Sequence, residues 1–211
     1  MNKKQEELVD MGFTEEKFHC GTHLCLIFSD EGERQKAIFK FLAAGLAANE
    51  KVDYLVDTKT PQEFKDGFLE SVDETLIKSG RLRNLDLWVA ENTYCPRGKF
   101  VPDDMLNTLG SLYTQAREKG YSNARASGEM SWALKGIPGS DRLMEYEALI
   151  NERVITHPIT AVCQYDTRLF DGKTIFDVLK VHPMVIVHGQ IIQNPFYMKP
   201  QDFLKSYGQN S

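Results

Sequence analysis

Several absences narrow what this 211-residue chain can be. Its 25 Lys and Arg are outnumbered by 30 Asp and Glu, for a formal net charge of −5. A direct nucleic-acid binder needs a basic stripe against the phosphate backbone, and none is written here. No apolar run is long enough to cross a bilayer. The opening "MNKKQEELVDMGF" lacks the apolar core of a signal peptide, so the expected location is the cytoplasm, with no membrane partner. Four cysteines, Cys20, Cys25, Cys95 and Cys163, form no CxxC pair, which removes the zinc-ribbon and thioredoxin patterns. The GxGxxG fingerprint is also missing.

What is present is an ordinary globular composition, 42% hydrophobic and 26% charged. A chain of this length can bury a large core without covalent staples. "HLCLIF" (23–28), "VDYLVD" (52–57), "LDLWVA" (85–90), "YSNARASG" (121–128) and "ITAVCQYD" (159–166) read as strands. Between them lie helical patterns: 33–49, one or two helices after Pro61, 103–120, and "GSDRLMEYEALINERVI", with Ser140 or Asp141 as N-cap. "GKTIFDVLKVH" adds a helix, "MVIVHGQII" two strands turning at His188-Gly189, and "KPQDFLKSYG" a closing helix. Alternation of this kind predicts an α/β fold, a mostly parallel central sheet with helices on both faces. The expected organisation is a helical extension over 1–18 and one domain over 19–211.

In such sheets ligands bind beyond the C-terminal strand ends. That places Ser29, Asp30, Glu31, Asp57, Glu91, Asn92, Gly128, Glu129 and Asp166 around one crevice, and most are acidic. A phosphate loop belongs after the first strand, with glycines for close approach and a lysine for the phosphates. The turn there is "SDEGERQ": one glycine and three acids against one arginine. Such a turn repels anions.

"RASGEMSWAL" sets Glu129 near Trp132, a polar anchor beside an apolar wall. The competing reading pairs Glu129 with Arg125 or Arg142 and buries Trp132 in the core. "HCGTHLC" collects metal-ligand types, but its spacing is poor. His23 and Cys25 share a strand face, and Cys163 approaches Cys25 if their strands are neighbours. No metal is expected, with His23, Cys25 and Cys163 the weaker candidates. Glu147 and Asn151, four apart in "MEYEALIN", share a helix face that is either solvated or turned to the sheet in a network with Arg125 and Asp166. His182 precedes Pro183, stops a helix, and can cap it or reach a ligand.

Taken in order, "HLCLIFSDEGER", "RASGEMSWAL", "YEALIN", "VCQYD", "HPMVIVHG" and "NPFYMKP" resemble the MEDS family, the methanogen and methylotroph regulator sensory domain. The resemblance runs from about His19 to Leu204. It implies a RecA-like fold without a phosphate loop and a non-catalytic sensory role toward small, hydrocarbon-derived molecules, with no cofactor. It makes Arg125, Glu129, Trp132, Tyr146, Glu147, Asn151, Cys163, Tyr165, Asp166 and His182 one candidate ligand-binding cluster. In that cluster Trp132, Tyr165 and Cys163 would form walls, Arg125 would neutralise Glu129, Glu147 or Asp166, and Asn151 and His182 would give directional hydrogen bonds. The same residues could instead be a fold-maintaining polar network. The expected partners are a small molecule and a separate regulatory protein, with a homodimer left open. The competing functions are a remnant nucleotide-binding enzyme and a ligand-free interaction scaffold.

Overall fold

The computed structural model describes residues 7–207. Seven strands form the central sheet: β3 (His23–Phe28), β4 (Lys51–Val56), β5 (Leu85–Val89), β6 (Ala124–Glu129), β7 (Thr160–Asp166), β8 (Met184–Val187) and β9 (Gln190–Gln193). Their spatial order is β5-β4-β6-β7-β3-β8-β9, parallel except for the β8–β9 hairpin. Strands β6 and β7 lie between β3 and β4, which are consecutive in sequence. The crossover α1 (Glu31–Ala47) therefore spans them and opens a crevice above their C-terminal ends.

Two cores sandwich the sheet. One lies beneath α1 and α2 (Pro61–Ser71), built on Phe41, Leu42, Phe64, Phe68 and the outward residues of β3 and β4. The other lies beneath α5 (Pro102–Glu118), α6 (Leu143–Thr156) and α8 (Pro200–Tyr207), built on Trp132, Tyr146, Leu109 and Phe203. A strand buried on both faces sends alternate side chains to opposite cores. On β6, Arg125, Ser127 and Glu129 point toward α1, while Ala124 and Ala126 point toward α5 and α6. This two-residue period decides the site.

Three expectations need correction. The described part of the 1–18 stretch is not a helix: β1 (Leu8–Asp10) and β2 (Lys17–His19) pair antiparallel. Val9 and Phe18 are buried between exposed neighbours, a strand period rather than a helical one. Gly12 (φ 81°) turns the chain between them so closely that a Cβ there would lie 2.2 Å from the Lys40 carbonyl oxygen. Residues 1–6 and 208–211 lie outside the described part. Second, α6 is not capped by Ser140 or Asp141; those residues form a 3₁₀ turn, Ser140–Arg142, and α6 starts at Leu143 without a side-chain cap. Third, the strand expected over 85–90 ends at Val89, because Ala90 opens one helical turn, α4 (Ala90–Tyr94), which buries Tyr94.

Candidate functional site

The crevice is built from the ends of β3, β4, β6 and β7. Strand β3 stops at Phe28, and Asp30 caps α1 by accepting the Glu33 N–H at 2.7 Å. One turn into α1, Arg34 is 1% exposed. Its guanidinium donates to Glu31 (2.8 and 2.5 Å), to the Tyr54 hydroxyl (2.8 Å), to Glu129 Oε1 (3.0 Å) and to Gln164 Oε1 (2.9 Å). Tyr54 donates to Glu129 Oε1 at 2.7 Å. The other oxygen of Glu129 accepts from the Asp57 N–H (2.9 Å), the Thr58 N–H (2.6 Å) and the Thr58 hydroxyl (2.8 Å). Burial favours the neutral acid, but the Arg34 charge, the Thr58 amide and the two hydroxyls outweigh it, so Glu129 is held below its ordinary pKa.

Glu129 is thus a clasp. It ties the end of β6 to α1 and to the loop after β4. Above it opens a pocket of about 270 Å³. Phe28 and Leu169 give apolar walls, Arg34, Glu129 and Gln164 the floor, and Lys59, Asp166 and Arg168 the rim. Asp166 is gripped by the Arg168 guanidinium (2.8 and 2.6 Å), a hydrogen bond that lowers its pKa.

A second polar cluster lies on the opposite face of the sheet, under α6. Glu147, from α6, sits between His23 of β3 and His182, which follows α7 (Gly172–Val181). Its Oε2 is 3.2 Å from Nε2 of each imidazole, and Tyr165 donates to its Oε1 at 2.9 Å. The Cys163 thiol lies 3.5 Å from His23 Nε2. The expected adjacency of Cys25 and Cys163 is present, as these residues pair in register between β3 and β7. The side chains of His23, Glu147 and His182 have no exposure.

The ten sequence-predicted residues do not converge. Glu129 and Asp166 line the crevice. Glu147, Asn151, Cys163, Tyr165 and His182 gather on the far face of the sheet. Trp132 and Tyr146 pack with Tyr94 and Phe100 in the α5–α6 core. Trp132 is fully buried and stacks on Tyr94 at 4.7 Å, so it is no wall to Glu129. Arg125 stands at the N-terminal end of β6 and neutralises none of the three acids assigned to it. Its guanidinium grips Glu50 (2.5 and 2.9 Å) and the Phe41 carbonyl (2.6 Å). Glu147 turns to the sheet, but toward histidines rather than Arg125 and Asp166.

Arg34, Tyr54, Thr58 and Gln164 escaped sequence reading. Signals existed. Arg34 is spaced i+3 from Glu31 at the start of a helix leading from a strand end, and Gln164 is the polar alternate between Cys163 and Tyr165.

The fold and crevice define a RecA-like three-layer α/β protein. A KaiC-like protein from Pyrococcus horikoshii OT3 superposes with a TM-score of 0.58 at 13% identity, covering 85% of this chain and 79% of that one. The flagellar accessory protein FlaH from Methanocaldococcus jannaschii does so with a TM-score of 0.53, also at 13% identity, over 81% and 75%. At the sequence level, residues 22–183 match the model of the MEDS family, the methanogen/methylotroph, DcmR sensory domain, and the chain belongs to that family. It is 30% identical over 165 residues to the transcriptional repressor DcmR of Methylorubrum extorquens, covering 76% of this chain and 57% of the repressor. The chain therefore spans a little over half of that relative's length. These relationships support a sensory or regulatory role. Among the described residues no helix is long and apolar enough to cross a membrane.

Proposed function

We propose that the crevice above Glu129 is the ligand pocket of this sensory domain and that Glu129 is the link between ligand and output. The observation that carries the reading is the pocket of about 270 Å³ at the topological switch point, closed below by a carboxylate that holds three elements at once. Its ionic groups are matched: Arg34 with Glu31 and Glu129, Arg168 with Asp166, and Lys59 with Glu31 at 3.9 Å. A charged group that reached the floor would have to break the buried Arg34–Glu129 pair, which is costly. A small uncharged molecule needs only the Phe28 and Leu169 walls and one hydrogen bond.

The helix start that could receive a phosphate is filled by the protein's own Asp30 carboxylate, flanked by Glu31 and Glu33. That favours an uncharged ligand over a nucleotide. Binding would load or loosen the Glu129 clasp, shift residues 57–60 and the start of α2, and change the surface met by a regulatory partner. The shift is as large as the difference in ligand affinity between clasped and loosened states.

A thermal-shift screen of short-chain alcohols, ketones and haloalkanes tests the pocket. Leu169→Asp adds a charge to a wall residue that is 52% exposed, so the fold should tolerate it. A compound at about 100 times its Kd stabilises by about 2.7 kcal/mol. That gain is expected in wild type and absent in L169D. Stabilisation by such compounds that survives L169D places the ligand elsewhere; stabilisation by ATP with magnesium alone removes the reading.

A further inference from the structure

The buried cluster beneath α6 contains a chemical contradiction. His182 Nδ1 lies 2.8 Å from the Val178 carbonyl, which can only accept, so Nδ1 carries a proton. His23 Nδ1 lies 3.2 Å from Asn151 Oδ1. The orientation of that amide is fixed, because Asn151 Nδ2 donates to the carbonyls of Val181 (2.8 Å) and Ala148 (3.1 Å). Oδ1 must accept, and His23 Nδ1 is protonated as well. In the neutral rings both Nε2 atoms therefore present lone pairs, and both face Glu147 Oε2 at 3.2 Å.

Three acceptors thus meet at one fully buried point. Among the described residues, Glu147 Oε2 and His182 Nε2 have no hydrogen-bond partner: they are close without the alignment of a bond. A proton on one imidazole would bridge it to Glu147 but leave the other lone pair beside the carboxylate, and protons on both would set like charges on rings whose centroids are 4.3 Å apart. A carboxylate oxygen and two imidazole lone pairs, sealed from water with no donor between them, call for a cation.

We propose that His23, Glu147, Cys163 and His182 form a closed site for one divalent transition-metal ion of the zinc type. The spacing suits it. Tetrahedral zinc with bonds of about 2.0–2.1 Å to nitrogen or oxygen and about 2.3 Å to sulfur separates its light donors by about 3.3 Å and nitrogen from sulfur by about 3.6 Å. Glu147 Oε2 lies 3.2 Å from each imidazole Nε2 and Cys163 Sγ 3.5 Å from His23 Nε2, while the remaining pairs lie within 4.8 Å, so loading would draw the set together. The surroundings suit it too. Each imidazole donates its remote N–H to an oxygen, and the remote carboxylate oxygen is held by Tyr165, the outer contacts that orient ligands around a metal. The Cys163 thiol becomes a thiolate once the ion replaces its proton. The ion would join β3, β7, α6 and the end of α7 from the face opposite the crevice. Neither this site nor the proposed ligand pocket depends on the other.

The test uses the full chain purified without chelators. Native mass spectrometry and elemental analysis should find one zinc-type ion per chain. X-ray absorption of the zinc-loaded wild type should count one sulfur and three lighter donors. Exchange with cobalt should give the visible bands of a tetrahedral ion and a thiolate-to-cobalt charge-transfer band. That band should vanish in Cys163→Ser and persist in Cys95→Ser. A chain that neither retains nor takes up metal, a metal shell without sulfur, or a charge-transfer band that survives C163S overturns the proposal. Should C163S fail to fold, the sulfur count in wild type decides.

Discussion

Replacing Glu129 with glutamine isolates the clasp, because the side chain keeps its size and loses its charge. In wild type Oε2 accepts three donors, from the Asp57 and Thr58 amides and the Thr58 hydroxyl, while Oε1 accepts from Arg34 and Tyr54. An amide can satisfy one of these sides only. Its NH₂ group faces donors whichever way it is turned, and Arg34 loses one of its two carboxylate partners. Glu129 and Arg34 side chains are 5% and 2% exposed, so solvent screening gives little relief. Breaking a buried pair on one side costs about 3–5 kcal/mol. For a domain of this size each kcal/mol lowers Tm by about 2–4 °C. Glu129→Gln should therefore lose roughly 10 °C. Urea unfolding followed by circular dichroism measures the free energy directly.

Because the folded pKa of Glu129 is depressed, its contribution is present above the unfolded-state pKa and is lost as pH falls through the folded value. The wild-type advantage over E129Q should be full at neutral pH and shrink once the pH drops below the ordinary carboxylate range. A loss below about 1 kcal/mol at neutral pH, the size of one ordinary hydrogen bond, would refute the clasp. So would a wild-type advantage that does not change with acid.

Two other substitutions separate architecture from recognition. Arg125→Met strands the buried Glu50 carboxylate and should cost about 3–5 kcal/mol, whereas adding Glu50→Leu should recover much of that loss; an additive double variant would contradict the pairing. Trp132→Phe should lower stability through lost packing while leaving any ligand-induced thermal shift intact, since the indole stacks on Tyr94 on the far side of the sheet from the crevice; a selective loss of ligand response would return Trp132 to the pocket.

The clasp is held in place by its neighbouring side chains. The phenol of Tyr54 is fixed by stacking on Phe64 at 3.9 Å, and Gln164 is oriented by donating to Ser127 Oγ at 2.9 Å. Such support from rigid strands keeps a polar floor in one geometry, which a switch needs if binding is to favour one of two arrangements.

Strand and helix positions could be read from the sequence because they depend on local periodicity. "HLCLIF" matches β3 from end to end, and His188-Gly189 turns β8 into β9. The crevice could be placed because alternating strands and helices leave few topologies, and all of them put ligands past the strand ends. Which charge meets which could not be read. Arg125 and Glu129 share a face of β6, yet they lie at opposite ends of it and meet Glu50 and Arg34, 75 and 95 residues away. Glu129 and Trp132 are three apart in the chain, but the 3₁₀ turn Met130–Lys135 carries the indole to the other side of the sheet. The sequence by itself determined the alternating α/β pattern, the acidic first turn and the family. Only the tertiary structure decided that ten motif residues belong to separate places, because strand order and the two-sided pleat assign neighbours in space that spacing along the chain does not encode.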